Sequence, residues 1–447
     1  MLDPRFVEDN FELVKKNAEA KGYPLNDDQL KILELFTLRR ALTGQIDKLR
    51  AARNAASPLM GAALKTKSST IALPEKLAVE LGMKTSIAVT ELQTALKKIG
   101  DNIADGEAQV GKTESLIRDI LLTIPNMLHE SVPIGEGEAD NVEVRRWGDP
   151  PRLCPPPKPH WEIGEKTATL DFDAGARLSG SRFTVLRGMA ARLSRALVNL
   201  FLDTARARGY AETCVPFMVL PECMEGTGQL PKFDDDLYKT QDGELYLVPT
   251  AEVPLTNLGR GQLLEASELP QLFAAYTPCF RREAGTYGRD ERGLMRQHQF
   301  EKVELVRIVP EEDSWRHLEE LTADAEHVLQ LLGLPYRVMN LCSKDLSFSA
   351  AKCYDLEVWI PSEGRYREIS SCSNFTDYQA RRMNMRYRPA GGGKPRHPHT
   401  LNGSGLAVGR TIIALYENYQ QEDGSVTVPG KLVLYMNGLD RIKASKT

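Results

Sequence analysis

Two stretches in the first third of the chain carry apolar residues at alternating spacings of three and four. The first follows a helix-capping segment at Asn26 to Asp28 and consists of Leu35, Leu38, Leu42, Gln45, Leu49, Ala52 and Ala56. The second consists of Leu92, Leu96, Ile99, Ile103, Gly106, Val110, Thr113, Ile117 and Ile120. Such spacing puts one apolar stripe along each helix, which predicts an antiparallel coiled-coil arm about 50 Å long. An ordinary helix pair packed on a globular body fits the same pattern.

The segments around these stretches suggest a domain organisation. The joining segment, about 57–83, contains Pro58 and Pro74 and predicts an elaborated tip with one short helix around Glu75 to Leu81. A break at Thr123 to Asn126 is followed by residues 126–160, which include three consecutive prolines and predict an irregular linker. The interpretation is an N-terminal helical domain at 1–125 and a second domain at 161–447.

From residue 272 to residue 309 the pattern changes to alternation by two, which predicts a β-hairpin. Arg281 and Glu283 would share one strand face. The returning strand would present Arg296, His298, Phe300, Lys302 and Glu304 together. In a turn between Ala284 and Met295, Gly285, Gly288 and Gly293 would supply positive φ where the chain folds over the bound molecule. Guanidinium groups, a ring and carboxylates on one face suit ATP together with an amino acid, although a solvated charged hairpin shows the same alternation.

Composition narrows the class of protein. The 447 residues are 42% hydrophobic with a net charge of −4, so RNA binding would need local basic patches. Seven cysteines without a CxxC spacing disfavour a disulfide framework, and no structural zinc is expected. The N-terminus lacks an apolar signal region and no apolar run is long enough to span a membrane, so a cytoplasmic protein is expected.

Three segments carry a family resemblance. The run from Phe280 to Glu304 closely resembles motif 2 of the class II aminoacyl-tRNA synthetases, in the form found in the seryl-tRNA synthetase family. A helical pattern at about 186–208 followed by a proline-containing strand at 212–217 resembles motif 1, and residues 399–411 resemble motif 3. The resemblance implies an α+β fold, with an antiparallel sheet flanked by helices, and a homodimer formed through motif 1. The second domain would then be catalytic and the arm would bind tRNA.

Residues 247–256 also resemble the family's Thr-x-Glu serine-binding loop, and 354–360 with 367–374 resemble paired strands of the same site. The resemblance thus implies roles for individual residues. Arg281 and Arg410 would be catalytic, and Glu368 and Ser371 would hold Mg²⁺. Serine would be bound by Thr250, Ala251, Glu252, Arg281, Glu304, Asn402 and Ser404. ATP would be bound by Arg281, Arg282, Glu283, Arg296, Gln297, Phe300, Glu368, Ile369, Ser370, Ser371 and Arg410. Arg282, Ser347 and Cys353 depart from the family pattern, and alternation points Arg282 away from the substrate face.

The implied activity is the formation of seryl-adenylate from serine and ATP, followed by transfer to tRNA(Ser) and, in this family, to tRNA(Sec). A paralogue that makes seryl-adenylate but loads another acceptor, or that serves as a resistance copy, remains open. A non-catalytic regulatory protein is a third alternative. The glycines near motif 3 do not indicate a Rossmann fold, because no apolar strand precedes them, and the chain has no P-loop sequence.

Overall fold

The computed structural model describes residues 1–153, 155–284 and 292–444. In these ranges the helices are α1 (Pro4–Asp9), α2 (Phe11–Ala20), α3 (Asp27–Leu30), α4 (Ile32–Lys65), α5 (Glu75–Leu81), α6 (Val89–Leu122), α7 (His160–Lys166), α8 (Phe172–Ser179), α9 (Gly188–Ala207), α10 (Pro221–Thr227), α11 (Glu252–Thr256), α12 (Ser314–Leu331), α13 (Tyr378–Arg382), α14 (Val408–Asn418) and α15 (Gly430–Val433). Single 3-10 turns lie at Glu138–Asp140, Asp234–Asp236, Asn257–Gly259, Ala266–Glu268 and Glu311–Asp313.

The strands in the same ranges are β1 (Thr70–Ala72), β2 (Ser86–Ala88), β3 (Val142–Trp147), β4 (Leu170–Asp171), β5 (Val185–Leu186), β6 (Ala211–Glu212), β7 (Met218–Val219), β8 (Tyr246–Leu247), β9 (Leu263–Glu265), β10 (Gln271–Phe280), β11 (Gln299–Val309), β12 (Tyr336–Asn340), β13 (Lys352–Ile360), β14 (Arg365–Asn374), β15 (Arg386–Arg388), β16 (His399–Ala407), β17 (Val426–Thr427) and β18 (Arg441–Ile442). None of the helices in the described part of the chain is long and apolar enough to cross a membrane.

The chain divides into two compact units. The helical unit is Leu25–Ile124, and the sheet unit joins Met1–Pro24 to Pro125–Thr447. Residues 1–24 therefore fall in the sheet unit, whereas the sequence interpretation grouped them into a domain at 1–125. The domain assignment stays a prediction.

The helical unit is a long antiparallel pair, α4 and α6, as the two apolar stripes predict. In α6 the predicted stripe is confirmed, since Leu92, Ile99, Ile103, Thr113 and Ile117 are buried. In α4 the predicted positions are partly wrong. Leu38 is 47% exposed and Gln45 is exposed, while the neighbouring Phe36 and Ile46 are buried. Ile46 packs with Ile99 and Ile103 of α6, and the predicted Ala52 and Ala56 are buried as expected.

The start and the tip of the helical unit are well defined. Asn26 and Gln29 form the expected cap, each side chain accepting the other residue's backbone N–H. Helix α4 continues through Pro58 to Lys65, so residues 57–65 of the predicted tip are helical. Pro58 is exposed, so the backbone carbonyl four residues earlier, which receives no N–H from proline, can bond to water. Ala56 and Met60, two residues to either side, pack in the apolar core of the tip. The short helix at 75–81 is confirmed, and β1 pairs with β2 beside it.

An eight-stranded sheet organises the sheet unit. Its order is β3-β12-β13-β14-β16-β11-β10-β6, and every neighbouring pair is antiparallel except β10 with β6. Helices α9, α12 and α14 contribute to the main apolar core, which includes Leu305, Leu356 and Leu401 from three strands. Because successive residues of a strand point to opposite faces of the sheet, the residues next to each of these leucines in its strand point away from this core. The predicted antiparallel sheet with flanking helices is confirmed.

Two local predictions for the sheet unit need correction. Residues 142–147, predicted as irregular linker, form the edge strand β3, which pairs antiparallel with β12. The strand predicted at 212–217 is only two residues long, β6, and the proline at 216 lies between β6 and β7. The preceding helix, predicted at about 186–208, is confirmed as α9.

Candidate active site

A cavity of about 1080 Å³ opens on the face of the sheet opposite the main core. Alternate residues of four strands form its floor: Phe300 and Lys302, Asp355 and Glu357, Ile369 and Ser371, and Asn402 and Ser404. Its walls include Thr250 and Glu252, the segment after β10, the segment before β11, and Arg410 near the start of α14. Strands that are distant in sequence thus place their polar, charged and aromatic side chains together on one face of the sheet.

Most of the site residues predicted from the sequence line this cavity. They are Thr250, Glu252, Arg281, Glu283, Arg296, Gln297, Phe300, Glu368, Ile369, Ser371, Asn402, Ser404 and Arg410. Four others do not line it: Ala251, Arg282, Glu304 and Ser370.

Each of these four has a clear location. Ala251 is fully buried in an apolar cluster, and the Ser370 hydroxyl donates to the Ser404 carbonyl oxygen at 2.7 Å. Arg282 is exposed, as alternation predicted. Glu304 is fully buried and reaches the site through the Asn402 amide, which donates to its Oε1 at 2.7 Å.

The hairpin exists, but its strands are shorter than alternation predicted. Strand β10 ends at Phe280 and β11 begins at Gln299, so Arg281, Glu283 and Arg296 lie outside the ladder. After Arg281 the backbone turns to another partner, since the Arg282 N–H donates to the Asp236 carbonyl at 3.0 Å. Glu283 has a φ of +51°. Shared strand alternation therefore does not explain why Arg281 and Glu283 both line the cavity.

The turn itself is described only in part. The glycines predicted at 285 and 288 lie outside the described residues. At the end of the turn, Gly293 has a φ of +84°, the left-handed conformation expected for a glycine here. His298 does not line the cavity; its Nδ1 lies 3.0 Å from the Arg281 carbonyl oxygen.

One end of the cavity is a buried acidic pocket. The Glu252 carboxylate accepts from the Gln379 amide at 2.7 Å and from the Asn402 amide at 3.3 Å. The same Asn402 amide bonds Glu304, and Glu304 also forms an ion pair with the Lys302 ammonium. Two carboxylates thus share one amide in a region with little access to water.

Burial is the main cause of the pKa shift of Glu252 in this pocket. Burial raises the pKa of Glu252 to about 7, the Gln379 hydrogen bond opposes the shift, and the charge of Glu304 adds to it. A carboxylate is costly to hold in a dry pocket without a cation, so a ligand ammonium placed here would stabilise the ionised form. The pocket suits the ammonium group of an amino acid.

The middle of the cavity carries cations and an aromatic ring. The guanidinium carbon of Arg281 lies 5.2 Å from the centre of the Phe300 ring, while its Nε donates to the Pro249 carbonyl at 3.3 Å. Arg296 forms an ion pair with Glu283 at 2.5 Å. Planar guanidinium groups beside an aromatic ring can bind phosphate oxygens and a flat base.

The other end pairs a cation with carboxylates. Arg410 Nη1 lies 3.2 Å from Glu368 Oε2 and donates to the Glu368 carbonyl at 2.8 Å. The charge of Arg410 lowers the pKa of Glu368, so this carboxylate stays ionised. Burial, reinforced by the charge of Glu368, raises the pKa of the neighbouring Asp355 well above its ordinary value. A hard cation between these groups would relieve the repulsion between the two carboxylates.

Cys353, which departs from the family pattern, lies in the same floor. Its sulfur is 3.0 Å from the Ser371 hydroxyl and accepts from the Ser373 hydroxyl at 3.2 Å. Burial raises the pKa of this thiol well above its ordinary value, so the group stays neutral. The six described cysteines are free, while Cys154 lies outside the described residues. Ser347, the other departure in this region, also lines the cavity.

Several residues that shape the cavity had no role among the predicted site residues. Lys302 and Asp355 line it, and Gln379 holds Glu252. Alternation placed Lys302 on the predicted site face without giving it a role. Asp355 pairs with the predicted site residue Ser371 across β13 and β14, a contact that the pattern of one strand does not show. Lys21 gave no sequence signal. Its buried ammonium donates to the carbonyls of Phe348 at 3.0 Å and Ala350 at 2.8 Å, and so fixes the wall segment 344–349.

Comparisons with known proteins identify the family of this chain. A family model described as "tRNA synthetase class II core domain (G, H, P, S and T)" matches residues 233–419, and "Seryl-tRNA synthetase N-terminal domain" matches residues 1–128. The serine–tRNA ligase of Nitratidesulfovibrio vulgaris strain Hildenborough is 52% identical over 99% of this chain and 100% of the relative. That of Pelobacter propionicus is 50% identical with the same coverage.

Solved structures give the same result. A crystal structure of seryl-tRNA synthetase from Pyrococcus horikoshii complexed with ATP covers 100% of both chains with a TM-score of 0.89 and 36% identity. Cytoplasmic serine–tRNA ligase from Naegleria fowleri in complex with AMP gives a TM-score of 0.86 at 32% identity, covering 100% of this chain and 99% of that one. Fold and site together define a class II aminoacyl-tRNA synthetase. Within that class, the chain belongs to the seryl-tRNA synthetase family.

Proposed function

We propose that this enzyme activates L-serine with ATP and transfers the seryl group to tRNA(Ser), and also to tRNA(Sec) as the family resemblance implies. The observation that carries the proposal is the continuity of one cavity from the acidic pocket at Glu252 to the Arg410–Glu368 pair. An amino acid and a nucleotide fit end to end in this cavity, with Arg281 between them. The serine–tRNA ligases at about 50% identity over the whole chain support the same reaction.

Serine is assigned to the acidic end. Its ammonium group would meet Glu252, whose pKa of about 7 makes it responsive to a cation. Thr250 and Ser404, which line the same end, would bond the serine hydroxyl, and Asn402 and Glu304 would complete the polar surroundings. A buried polar pocket rejects an apolar competitor, because its groups would be left without hydrogen bonds.

ATP is assigned to the remaining cavity. Phe300 offers a ring for the adenine, while Glu283 would accept from the adenine amino group. Arg281 would contact the α-phosphate and the serine carboxylate, and Arg410 the γ-phosphate. Arg296 and Gln297 add polar groups beside the phosphates and ribose. Ile369 and Ser370 would contribute through the backbone and packing of β14. The Ser370 hydroxyl donates to the Ser404 carbonyl oxygen and does not line the cavity.

Mg²⁺ is assigned to Glu368 and Ser371. Two neighbouring carboxylates, Asp355 and Glu368, with one of them shifted towards protonation, suit a site completed by substrate phosphates. Among the described residues no set of three or more His, Cys, Asp and Glu side chains is arranged to hold a metal alone. Bound Mg²⁺ would neutralise phosphate charge and orient the phosphates.

The reaction proposed for this cavity needs positioning and charge neutralisation, without a covalent enzyme intermediate. A serine carboxylate oxygen attacks the α-phosphorus, the bond to the β-phosphate breaks, and pyrophosphate leaves. Arg281 stabilises the charge that develops on the α-phosphate oxygens. A terminal ribose hydroxyl of tRNA then attacks the seryl carbonyl, and AMP leaves.

The helical unit is proposed to bind tRNA. Its helices carry cations at Arg39, Arg40, Lys48, Arg50, Arg53, Lys97, Lys98 and Lys112. RNA helices are recognised mainly by shape and backbone contacts, which requires scattered cations and no base-reading surface. Arg50 is partly neutralised, since it pairs with Glu107 at 2.6 Å.

Two further assignments follow from the family. We propose a homodimer formed through α9 and the strand after it, the region that resembles motif 1. We also propose a cytoplasmic location, which agrees with six free cysteines in the described residues.

A two-part assay tests the proposed function. Pyrophosphate exchange is measured with serine, threonine, alanine and glycine, and tRNA charging is measured beside it. The expected result is exchange with serine far above the other amino acids, together with charging of tRNA(Ser). Exchange without charging would favour the paralogue that loads another acceptor, and absence of both would favour the non-catalytic protein.

A further inference from the structure

A buried histidine and carboxylate lie outside every predicted site position. His160 begins α7 and Glu417 lies near the end of α14, and their side chains are 3% and 1% exposed. Glu417 Oε1 accepts the His160 backbone N–H at 2.9 Å and lies 3.1 Å from the His160 ring Nδ1. Its Oε2 accepts the Ser362 N–H at 3.0 Å. The carboxylate is therefore fixed from both sides.

The other nitrogen of the His160 ring points to the active-site wall. Nε2 lies 3.0 Å from the backbone nitrogen of Leu294, which donates its N–H to it. A backbone N–H can only donate, so Nε2 must carry no hydrogen. In the neutral ring the hydrogen then sits on Nδ1, where it points to Glu417. The pair thus fixes both the tautomer and the orientation of the ring.

The residue before Leu294 makes this approach possible. Gly293 has a φ of +84°, and a Cβ there would lie 2.0 Å from His160 Nε2. No other residue leaves room for the ring at this distance. Gly293 is therefore required both for the turn predicted from the sequence and for the close approach of the His160 ring.

The hydrogen bond to Leu294 acts on the part of the wall that carries the ATP groups. Leu294 and Met295 are buried and line the cavity, and the next two residues are Arg296 and Gln297. Arg296 pairs with Glu283, and the Gln297 amide donates to the Thr184 hydroxyl at 3.1 Å. A displacement of the Leu294 backbone would therefore move both ATP-facing side chains.

We propose that His160 and Glu417 are a positioning pair for the ATP end of the cavity. They hold the backbone of residues 294–297 in place, so that Arg296 and Gln297 face the nucleotide. Neither residue touches the substrate. The inference rests on the proposed function, because it assumes that ATP occupies this end.

Three variants of His160 separate the two ring contacts. His160→Gln can place an amide oxygen near Nε2 and so accept from Leu294, but it loses the bond to Glu417. His160→Asn can donate to Glu417 from near Nδ1, but it leaves the Leu294 N–H buried without an acceptor. His160→Phe removes both contacts. His327→Asn, at a histidine that does not line the cavity, is the matched control.

The Michaelis constants for ATP and serine in pyrophosphate exchange are the readout. We expect His160→Asn and His160→Phe to raise the ATP KM about tenfold or more, with the serine KM within about twofold of wild type. The ATP KM of His160→Gln should stay close to the wild-type value, and that of the control His327→Asn should match it. Equal rises in the ATP and serine KM values, or a lower ATP KM for His160→Asn than for His160→Gln, would overturn the proposal.

A measurement on the wild-type protein covers the case in which the variants fail to fold. The chain has seven histidines, so selective ¹⁵N labelling gives a small set of ring signals. The Nδ1 atoms of His298 and His397 also face carbonyl oxygens, so the His160 ring is identified by coupling between its Nε2 and the Leu294 amide across their hydrogen bond. The proposal expects this ring to carry a persistent Nδ1–H and an unprotonated Nε2. If the wild-type spectrum shows no such coupling, or shows a hydrogen on that Nε2, the proposal fails. Wild-type exchange with serine tests the proposed function separately, since the tautomer does not depend on the substrate.

Discussion

The two units bury different kinds of side chain. The helical unit, Leu25–Ile124, is described throughout, and none of its charged side chains is buried; its buried polar residues are Gln29 and Thr113. The sheet unit buries Lys21, Glu252, Lys302, Glu304 and Arg307, among others. Buried charges cost free energy unless they are paired or meet a ligand, so they are retained where chemistry requires them.

The difference indicates what each unit contributes. Charges in the sheet unit act at fixed distances inside a low-dielectric cavity, where each contact has a large effect. Charges of the helical unit lie on its surface, where salt screens them and single pairs contribute about 0–1 kcal/mol. Substitutions in the sheet unit should therefore change chemistry strongly, and single charge substitutions in the helical unit should change RNA binding weakly.

The largest effect is expected from Arg281→Ala. Loss of a charge-assisted contact that develops in the transition state should lower pyrophosphate exchange about 10²–10³-fold, while the melting temperature changes little. Arg282→Ala is the matched control, because Arg282 is exposed and does not line the cavity. Near-normal exchange by Arg281→Ala, or an equal loss in Arg282→Ala, would contradict the assignment of Arg281.

A smaller effect concerns the pH dependence of serine binding. Because burial raises the pKa of Glu252 to about 7, the carboxylate that would meet the serine ammonium is mostly protonated at pH 6 and mostly ionised at pH 8. The serine KM should therefore fall about fivefold to tenfold over this range, with the ATP KM nearly constant.

Glu252→Gln is the control for this prediction. Its serine KM should be high at every pH and should lose the dependence between pH 6 and 8. The same pKa shift means that native Glu252 binds more protons than the unfolded chain between the ordinary pKa of 4.5 and about 7. The contribution of this group to stability therefore declines as pH rises through that window. A serine KM that is flat with pH in the wild type would contradict the assigned role.

The smallest effect compares two glycines of α6 in the helical unit. A Cβ on Gly111 would meet no atom within 4 Å, whereas one on Gly106 would lie 2.9 Å from Ile46 Cγ1. Gly111→Ala should stabilise the helix by about 0.5–1 kcal/mol, and Gly106→Ala should gain less or lose stability. Amide hydrogen exchange of α6 measures the difference. Equal protection in both variants would contradict close packing at Gly106, and pyrophosphate exchange should not change in either.

The same contrast explains what the sequence could predict. In the helical unit, period and caps placed α6 and the short helix at 75–81, because these signals are local. They missed the register of α4, where Ile46 replaces Gln45 in the core, since the choice depends on the facing helix. In the sheet unit, local signals missed β3, because this strand pairs with β12 about two hundred residues away.

In the sheet unit, the motif resemblance identified most cavity residues, but alternation explained them only partly. Phe300 and Lys302 lie on the strand face that alternation predicted, whereas Arg281 and Glu283 reach the cavity from a turn held by Asp236. Lys21, His160 and Glu417 could not be found from sequence, because the contacts of Lys21 with Phe348 and of His160 with Leu294 and Glu417 join residues more than a hundred positions apart. Their roles depend on tertiary geometry alone.

The central claim is that the sheet unit performs the chemistry and the helical unit supplies tRNA recognition. The most direct test replaces residues 32–118 with a short Gly/Ser linker and measures serine-dependent pyrophosphate exchange and tRNA charging in the same preparation. Residues 29 and 123 are kept, because the Gln29 amide donates to the Thr123 carbonyl at 2.8 Å. We expect exchange within about twofold of wild type and charging reduced about 100-fold or more, because the phosphate-facing cations are gone. Charging that matches the intact enzyme, or exchange lost together with charging in a folded variant, would contradict the account.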